Sequence, residues 1–220
     1  MNIARFRFNP IVENTYVLWD ETGQAAIVDA GNSSAGEDKV LSDFIAEKDL
    51  TPVLAVNTHG HFDHASGVPY LVRTYGVPFA AHSGDAFLLE NAATQGSLFG
   101  ITVGEIPSID IDLAGRDEIA FGNTVLRIIP TPGHTPGHVA LFEPESGVVF
   151  TGDTLFEGTI GRTDLPGGDY SWIMKSILEN LLPLGDDVRV YPGHGGDTTI
   201  GKEAAGNPFI VEVLNREVGY

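Results

Sequence analysis

Short apolar segments alternate along the chain with segments rich in glycine, proline and asparagine, which are typical of turns. Segments that alternate polar and apolar residues, or that form short apolar runs, predict β-strands. The earlier predicted strands are Ile3–Phe8, Thr15–Trp19, Ala25–Val28, Val53–Val56 and Pro78–Ala81. The later ones are Ile109–Leu113, Glu118–Phe121, Thr124–Ile129, Val139–Phe142, Val148–Phe150 and Val188–Tyr191.

Apolar residues at helical spacing occur between several of these strands, most clearly in Tyr170–Leu182. Further helices are predicted at Asp38–Lys48, Val68–Tyr75 and Ser83–Asn91, whereas Ala92–Ser108 lacks periodicity and predicts an irregular segment. This mixture of strands and helices favours an α/β fold in which two packed sheets carry helices on their outer faces.

The strongest chemical signal is the segment Thr58–His64, which follows a predicted strand. It contains the potential metal ligands His59, His61, Asp63 and His64. His59 and His61 are two positions apart and point to one side of an extended chain, while Asp63 and His64 can serve a second ion. Imidazole and carboxylate suit zinc, manganese and non-haem iron. The alternative is an exposed polar loop, but the density of ligands favours a metal site.

Three later loops add histidine or aspartate directly after a predicted strand. They contain His134, Asp153 and His194. Each signal is weak alone, because a glycine followed by aspartate or histidine is usually a turn or a helix cap. Their shared position at strand ends, where scaffolds commonly place chemistry, indicates that the loops belong to one site.

Charge and composition narrow the possible partners. The 220-residue chain carries 30 acidic and 12 basic residues, a formal net charge of −18, which disfavours nucleic-acid binding. The chain has no cysteine, so disulfides and thiolate metal ligands are excluded. No apolar run approaches the ~20 residues of a membrane span, and Met1–Phe8 predicts a strand rather than a signal peptide. We therefore expect one cytoplasmic domain over residues 1–220 without membrane association; the oligomeric state is left open.

The order of these loops resembles the metallo-β-lactamase superfamily, and within it the short bacterial glyoxalase II-like (hydroxyacylglutathione hydrolase-like) proteins. The similar motifs are His59–His64, Gly133–Thr135, Gly152–Thr154 and Pro192–Gly195. The resemblance implies an αββα sandwich of two mixed sheets with outer helices and a binuclear centre on one edge. It implies that one metal is bound by His59, His61 and His134, the other by Asp63, His64 and His194, and that Asp153 bridges both. His82 and His138 are left for structural roles, and His138 is the better placed to orient a ligand.

This resemblance implies a metal-dependent hydrolase with two divalent ions, zinc being favoured over iron or manganese. Two ions would lower the pKa of a bridging water toward ~7 and so supply hydroxide. A thiolate leaving group, with a conjugate-acid pKa of ~8.5, needs little protonation. We therefore expect a small-molecule thioester as substrate, with Asp63 as the catalytic residue that handles the proton of the hydroxide.

Two alternatives remain open from the sequence. The run Gly161–Asp169 is similar to short glyoxalase II-like proteins, but its Gly-Arg-Thr-Asp also resembles the iron-dependent persulfide dioxygenases. A non-catalytic metal-binding scaffold is the other alternative. The identity of the thiol carrier, including whether it is glutathione, stays open.

Arg162 is the basic residue placed to contact substrate. Its guanidinium can grip a substrate carboxylate with two hydrogen bonds. It can instead pair with Asp164 or Asp169 and fix its own loop. The internal pair is the favoured interpretation.

Overall fold

The computed structural model describes residues 1–218, and these form two six-stranded mixed sheets. The first sheet places its strands in sequence order, β1 (Asn2–Phe8), β2 (Glu13–Trp19), β3 (Gln24–Val28), β4 (Thr51–Val56), β5 (Phe79–Ala81) and β6 (Ile111–Asp112). β1, β2 and β3 pair antiparallel, and β3 to β6 pair parallel. The crossovers from β3 to β4 and from β4 to β5 contain helices, as parallel pairing requires.

The second sheet is formed by the later part of the chain. Its strands are β7 (Glu118–Phe121), β8 (Thr124–Pro130), β9 (Val139–Glu143), β10 (Val148–Gly152), β13 (Arg189–Pro192) and β14 (Thr198–Thr199). They lie in the order β14-β13-β10-β9-β8-β7, and only β10 and β13 pair parallel. A separate hairpin joins β11 (Leu155–Phe156) to β12 (Thr159–Ile160).

Helices cover the outer faces of both sheets. The α-helices are α1 (Ala35–Glu47), α2 (Phe62–Ala65), α3 (Val68–Tyr75), α4 (Ala86–Glu90), α5 (Ala92–Leu98), α6 (Tyr170–Lys175), α7 (Ile200–Gly206) and α8 (Pro208–Val218). A π-helical segment, Ser176–Leu181, continues α6, and 3₁₀ turns span Ser83–Asp85 and Leu182–Leu184. Within residues 1–218, no helix combines the length and the apolar character needed to cross a bilayer.

The two-residue period of the strands divides the core into layers. In β2, Tyr16 and Leu18 enter the core between the sheets, while Val17 packs with the helices outside. In β10, Val148 and Phe150 face the first sheet, and Val149 packs against α6 and the helices after it. Apolar residues on both faces explain why these strands read as continuous apolar runs. The expected αββα sandwich of mixed sheets is confirmed.

Some elements differ from the sequence-based predictions. Residues 92–98, which were expected to be irregular, form α5. Ala92 is buried, and the lack of a side chain at Gly96 lets Ile101 and Val103 pack closely against the helix. The hairpin of β11 and β12 was not predicted, although the Glu157–Gly158 turn between its strands is a recognisable signal. The helix expected over Tyr170–Leu182 is present but widens into the π-helical segment after Lys175.

The loops of interest meet at one edge of the sandwich. Val139 N donates to Thr58 O at 2.8 Å and thereby joins the end of β4 in the first sheet to the start of β9 in the second. Asn14 N donates to Gly193 O at 2.7 Å and joins β2 to the loop after β13. These bonds between the sheets hold the strand ends in register at the edge where the candidate ligands lie.

Candidate metal centre

Seven side chains from four loops converge at this edge. The loops follow β4, β8, β10 and β13 and present the predicted site residues His59, His61, Asp63, His64, His134, Asp153 and His194. Six of these residues are buried, and His194 is half-buried. The structure therefore brings together all the residues that the sequence grouped into one site.

The first group is formed by His59, His61 and His134. One ring nitrogen from each lies within 4.8 Å of the others, which is close enough to share an ion. His61 Nδ1 and His134 Nε2 lie 2.9 Å apart. His59 Nε2 is buried and has no hydrogen-bond partner among the described residues. A buried polar nitrogen without a partner destabilises the fold unless a ligand binds it, so the group fits a metal ion.

The second group is formed by Asp63, His64 and His194, whose ligand atoms also lie within 4.8 Å of one another. His194 Nε2 lies 3.2 Å and His64 Nε2 3.7 Å from Asp63 Oδ2. His64 is fully buried, and its Nε2 makes no hydrogen bond to any described residue. This group therefore also fits an ion.

Asp153 lies between the two groups. Its Oδ1 is 3.4 Å from His64 Nε2, and its Oδ2 is 3.6 Å from both His134 Nε2 and His194 Nε2. Oδ1 is buried and has no hydrogen-bond partner among the residues described. One carboxylate thus faces ligands of both groups, the arrangement that a bridging ligand needs.

Electrostatics divide the imidazoles into two kinds. Burial, reinforced by the neighbouring imidazoles, lowers the pKa of His59 well below its ordinary value and that of His61 to about 4. Burial also opposes the charge on His64, but Asp153, Asp63 and Asp29 outweigh it and raise the pKa of His64 well above the ordinary value. Burial likewise opposes ionisation of Asp153, yet His64 lowers the pKa of this carboxyl. Neutral imidazole and ionised carboxylate are the forms that bind metal.

Asp29 positions the first histidine loop from behind, a role that sequence reasoning missed. Its carboxylate accepts hydrogen bonds from Thr58 N and Thr58 Oγ1, both at 2.7 Å. Its Oδ2 also lies 3.1 Å from His64 Nδ1. A carboxylate on the far nitrogen of a ligand histidine fixes the ring orientation and makes the imidazole more basic. The signal in the sequence was an aspartate directly after a buried strand.

Asp85 joins two of the loops, a role that sequence reasoning also missed. Its carboxylate accepts from Gly60 N at 2.9 Å, Thr135 Oγ1 at 2.7 Å and Gly137 N at 2.6 Å. It therefore ties the His59–His61 segment to the loop that carries His134. Burial is the largest influence on this carboxyl and raises its pKa in spite of the three donors.

The two remaining histidines differ in their distance from the site. His138 is buried, its ring lies against that of His59 at 4.9 Å between centroids and 21° between planes, and its Nε2 accepts from Asp153 N at 3.1 Å. It therefore contacts two of the site residues without pointing a free nitrogen at them. His82 instead accepts from Gly84 N at 2.9 Å and caps a 3₁₀ turn.

Arg162 contributes to the site through its backbone and forms the internal pair expected for its side chain. Its carbonyl oxygen lies 2.7 Å from His134 Nδ1 and accepts from it when that nitrogen is protonated. Its Nε and one terminal nitrogen each donate to the Asp164 carboxylate at 2.8 Å. Asp169 instead accepts from Trp172 N and caps α6. The guanidinium nevertheless lines the cavity above the site.

Glycine is required where the loops approach most closely. A Cβ at Gly193 would lie 2.3 Å from Asp153 Oδ1 and 2.6 Å from His64 Cε1. A Cβ at Gly152 would lie 2.3 Å from Thr58 Oγ1, and the φ of 46° at this residue is itself unfavourable for other residues. The glycines beside the ligands therefore let the loops close around the site.

A cavity of about 750 Å³ opens above the ligands. His61, Asp63, His134, Asp153 and His194 form its floor. The walls come from the β1–β2 loop, the α4–α5 segment and the loop that follows β12. Its size is in the range of small-molecule sites.

The chain belongs to the metallo-beta-lactamase superfamily, because the model of that family matches residues 9–194. A similar relative is the hydroxyacylglutathione hydrolase GloC of Haemophilus influenzae, 39% identical over 217 residues, or 96% of this chain and 98% of the relative. The resemblance to glyoxalase II-like proteins is thereby confirmed. The chain is thus a member of a metallo-hydrolase superfamily.

Solved structures agree with this assignment. The BLEG-1 B3 metallo-beta-lactamase superimposes with a TM-score of 0.88 at 34% identity, covering 95% of this chain and 99% of that one. TTHA1623, solved in a di-iron-bound form, gives a TM-score of 0.83 at 36% identity, with coverages of 94% and 99%. ETHE1 from Myxococcus xanthus gives 0.78 at 25% identity, with coverages of 98% and 90%.

Proposed function

We propose that the protein is a binuclear metal-dependent hydrolase that cleaves thioesters. One ion would be held by His59, His61 and His134, and the other by Asp63, His64 and His194. Asp153 would bridge the pair. The observation that carries the proposal is the position of the Asp153 carboxylate between two ligand groups. Each group contains a buried imidazole nitrogen, on His59 and on His64, that has no hydrogen-bond partner among the described residues.

When bound, the two ions would supply an activated water at neutral pH and stabilise negative charge on the carbonyl oxygen. Asp63, whose Oδ2 faces His194 and which also lines the cavity, is placed to hold the proton of the attacking water. The carbon–sulfur bond breaks as a carbon–oxygen bond to water forms, and the products are a carboxylic acid and a thiol.

The cavity supports a thioester rather than an amide. Apart from the candidate ligands, Arg162 is the one ionisable residue among the described residues that line it. No carboxyl group or imidazole stands free to protonate an amine as it leaves. A thiolate leaves without such help, because its conjugate acid has a pKa of only ~8.5. The hydroxyacylglutathione hydrolase named among the relatives acts on a thioester and supports the same choice.

Zinc is the favoured metal, since imidazole and carboxylate form its usual ligand set. The same ligands suit iron, and the similar structure in a di-iron-bound form supports iron as the alternative. Iron would also be required if the chain were a persulfide dioxygenase, the second candidate, which the Gly161–Asp164 motif favours.

Elemental analysis and a paired activity assay test the proposal. Metal-replete protein should approach two equivalents per chain, hydrolyse thioesters without oxygen and lose that activity on chelation. Asp153→Ala should remove both metal and activity, whereas Asp186→Asn, at an exposed site, should leave both unchanged. One equivalent of iron, oxygen uptake with a persulfide and intact thioesters would establish the dioxygenase instead.

A further inference from the structure

The walls of the cavity above the candidate metal centre are overwhelmingly apolar. They are formed chiefly by Ile11, Phe62, Phe87, Leu88, Leu98 and Phe99. Three of these side chains are unusually exposed for their type, with Leu98 at 79%, Phe99 at 58% and Phe87 at 39%. Exposed apolar residues that adjoin one another around a site mark a surface that a ligand covers.

The apolar wall packs against a residue that is the sequence neighbour of a candidate ligand. Phe99 stacks on Phe62 with ring centroids 5.2 Å apart, and Phe62 directly follows His61 in the chain. Phe62 in turn packs in a buried cluster with Ala92, Ile101 and Val103. Phe99 and the candidate ligand His61 line the same cavity, so one bound molecule can contact both.

Positive charge is scarce around the same cavity. Apart from the candidate ligands, Arg162 is the one basic residue among the described residues that line it, and its guanidinium donates both of its hydrogen bonds to Asp164. The whole chain also carries a formal net charge of −18. A carrier with several carboxylates or phosphates finds no unpaired side-chain cation on these walls, and the net negative charge of the chain disfavours its approach.

We infer that the preferred substrates are thioesters with an apolar alkyl or aryl acyl group on a small uncharged thiol. This inference rests on the proposed thioesterase function and adds the substrate class. The acyl chain lies along Phe99 and Leu98, with its carbonyl over the floor of the cavity. The apolar area that it covers supplies the binding free energy that charge pairing does not.

A series of N-acetylcysteamine thioesters tests the inference, because the uncharged carrier stays constant while the acyl group grows from acetyl to butanoyl and hexanoyl. With zinc-loaded protein, kcat/KM should rise at least tenfold from acetyl to hexanoyl, since each buried methylene contributes up to about fourfold. S-Lactoylglutathione, with a polar acyl group and a charged carrier, should be poorer than hexanoyl. A flat or falling series would overturn the inference and leave the proposed hydrolase intact.

Binding of unreactive thioethers gives a readout that does not depend on catalysis. S-Hexyl-N-acetylcysteamine should bind at least tenfold more tightly than the S-ethyl compound in calorimetry. Leu98→Asn, of similar shape, should remove most of that difference, whereas Val40→Thr, at a 52% exposed site on α1, should preserve it. Length-dependent binding without any thioester hydrolysis would uphold the apolar specificity and refute the hydrolase. Equal affinities of the two thioethers for the unmodified protein would refute the specificity, and equal losses by Leu98→Asn for both lengths would refute the placement of the acyl chain along Leu98.

Discussion

Asp29 Oδ2 lies 3.1 Å from Nδ1 of His64, and both side chains are almost completely buried. The aspartate adopts a positive φ of 51°, which asparagine and aspartate tolerate better than other residues. Its other contacts hold Thr58, the residue before the first histidine of the site. The carboxylate of Asp29 therefore orients the candidate ligand His64 and also the segment that leads to His59 and His61.

Replacing Asp29 with asparagine should weaken metal binding without disturbing the backbone. Asparagine keeps the size and tolerates the positive φ, but it removes the negative charge opposite His64. Loss of such a carboxylate typically lowers metal affinity by about 10–100-fold. Competition titration with a zinc chelator measures the change.

Asp49→Asn is the matched control for that experiment. Asp49 also has a positive φ, 54°, but it is exposed and lies in the turn between α1 and β4. Its substitution should leave zinc affinity unchanged. Equal affinities in the two variants would contradict the orienting role of Asp29.

Zinc binding should release protons at neutral pH. In the absence of metal, the carboxylates around His64 raise its pKa well above the usual ~6.5, so its imidazole is protonated at pH 7. A metal ligand must be neutral, and the proton leaves as zinc binds. His61, whose pKa is lowered to about 4, has none to lose. Affinity should therefore fall by about tenfold per pH unit below the pKa of His64.

Calorimetry in buffers of different ionisation enthalpy measures this release. The observed heat should change with the buffer in proportion to about one proton per chain from His64, with a further part from His194, whose pKa is also raised. Identical heats in phosphate and Tris at pH 7 would show that both imidazoles are already neutral.

Gly193→Ala should disrupt the centre. The new methyl group would lie 2.3 Å from Asp153 Oδ1 and 2.6 Å from His64 Cε1, so the bridging residue and a neighbouring ligand must move. Metal content should fall by at least one equivalent. Gly196→Ala is the matched control, because its methyl group meets only Glu157 Oε2 at 3.4 Å. The prediction fails if the two variants retain equal metal.

Arg162 and Asp164 allow a test of substrate charge. Both side chains are largely exposed, so solvent screens the pair and it contributes little to stability, and Arg162→Gln should barely change the melting temperature. The same variant should change KM for an uncharged thioester less than twofold. Asp164→Asn should release the guanidinium and lower KM for an anionic thioester several-fold. Unchanged KM values for the anionic substrate in Asp164→Asn would show that Arg162 does not reach the substrate.

The candidate ligands could be singled out from the sequence because each belongs to a short local pattern. His59 and His61 are two positions apart after a strand, and His194 lies between glycines after another strand. The supporting residues could not be predicted in this way. Asp85 matters because tertiary packing brings Gly60 and Gly137 to its carboxylate, although 25 and 52 positions separate them from it. No local pattern encodes such a meeting.

The contrast between local sequence patterns and long-range packing also explains where the observed secondary structure differs from the predicted one. The layers of the sandwich follow from the two-residue period of strands such as β2 and were predictable. α5 has weak local helical signals, since it contains Thr94 and Gly96, and it forms because Ala92 and Gly96 pack against the rest of the chain. Long-range packing therefore overrides local propensity in this segment.

The hydrogen bonds between β2 and the end of β13 with the loop after it join an early segment of the chain to one that is synthesised much later. Asn14 Nδ2 donates to Pro192 O and Gly195 O, and Tyr16 Oη donates to Pro192 O, across 176 to 181 positions of the chain. During synthesis these contacts can form only after Gly195 has left the ribosome. His59, His61 and His134 leave the ribosome well before His194. The second candidate group therefore stays incomplete until the last strands of the chain have been synthesised.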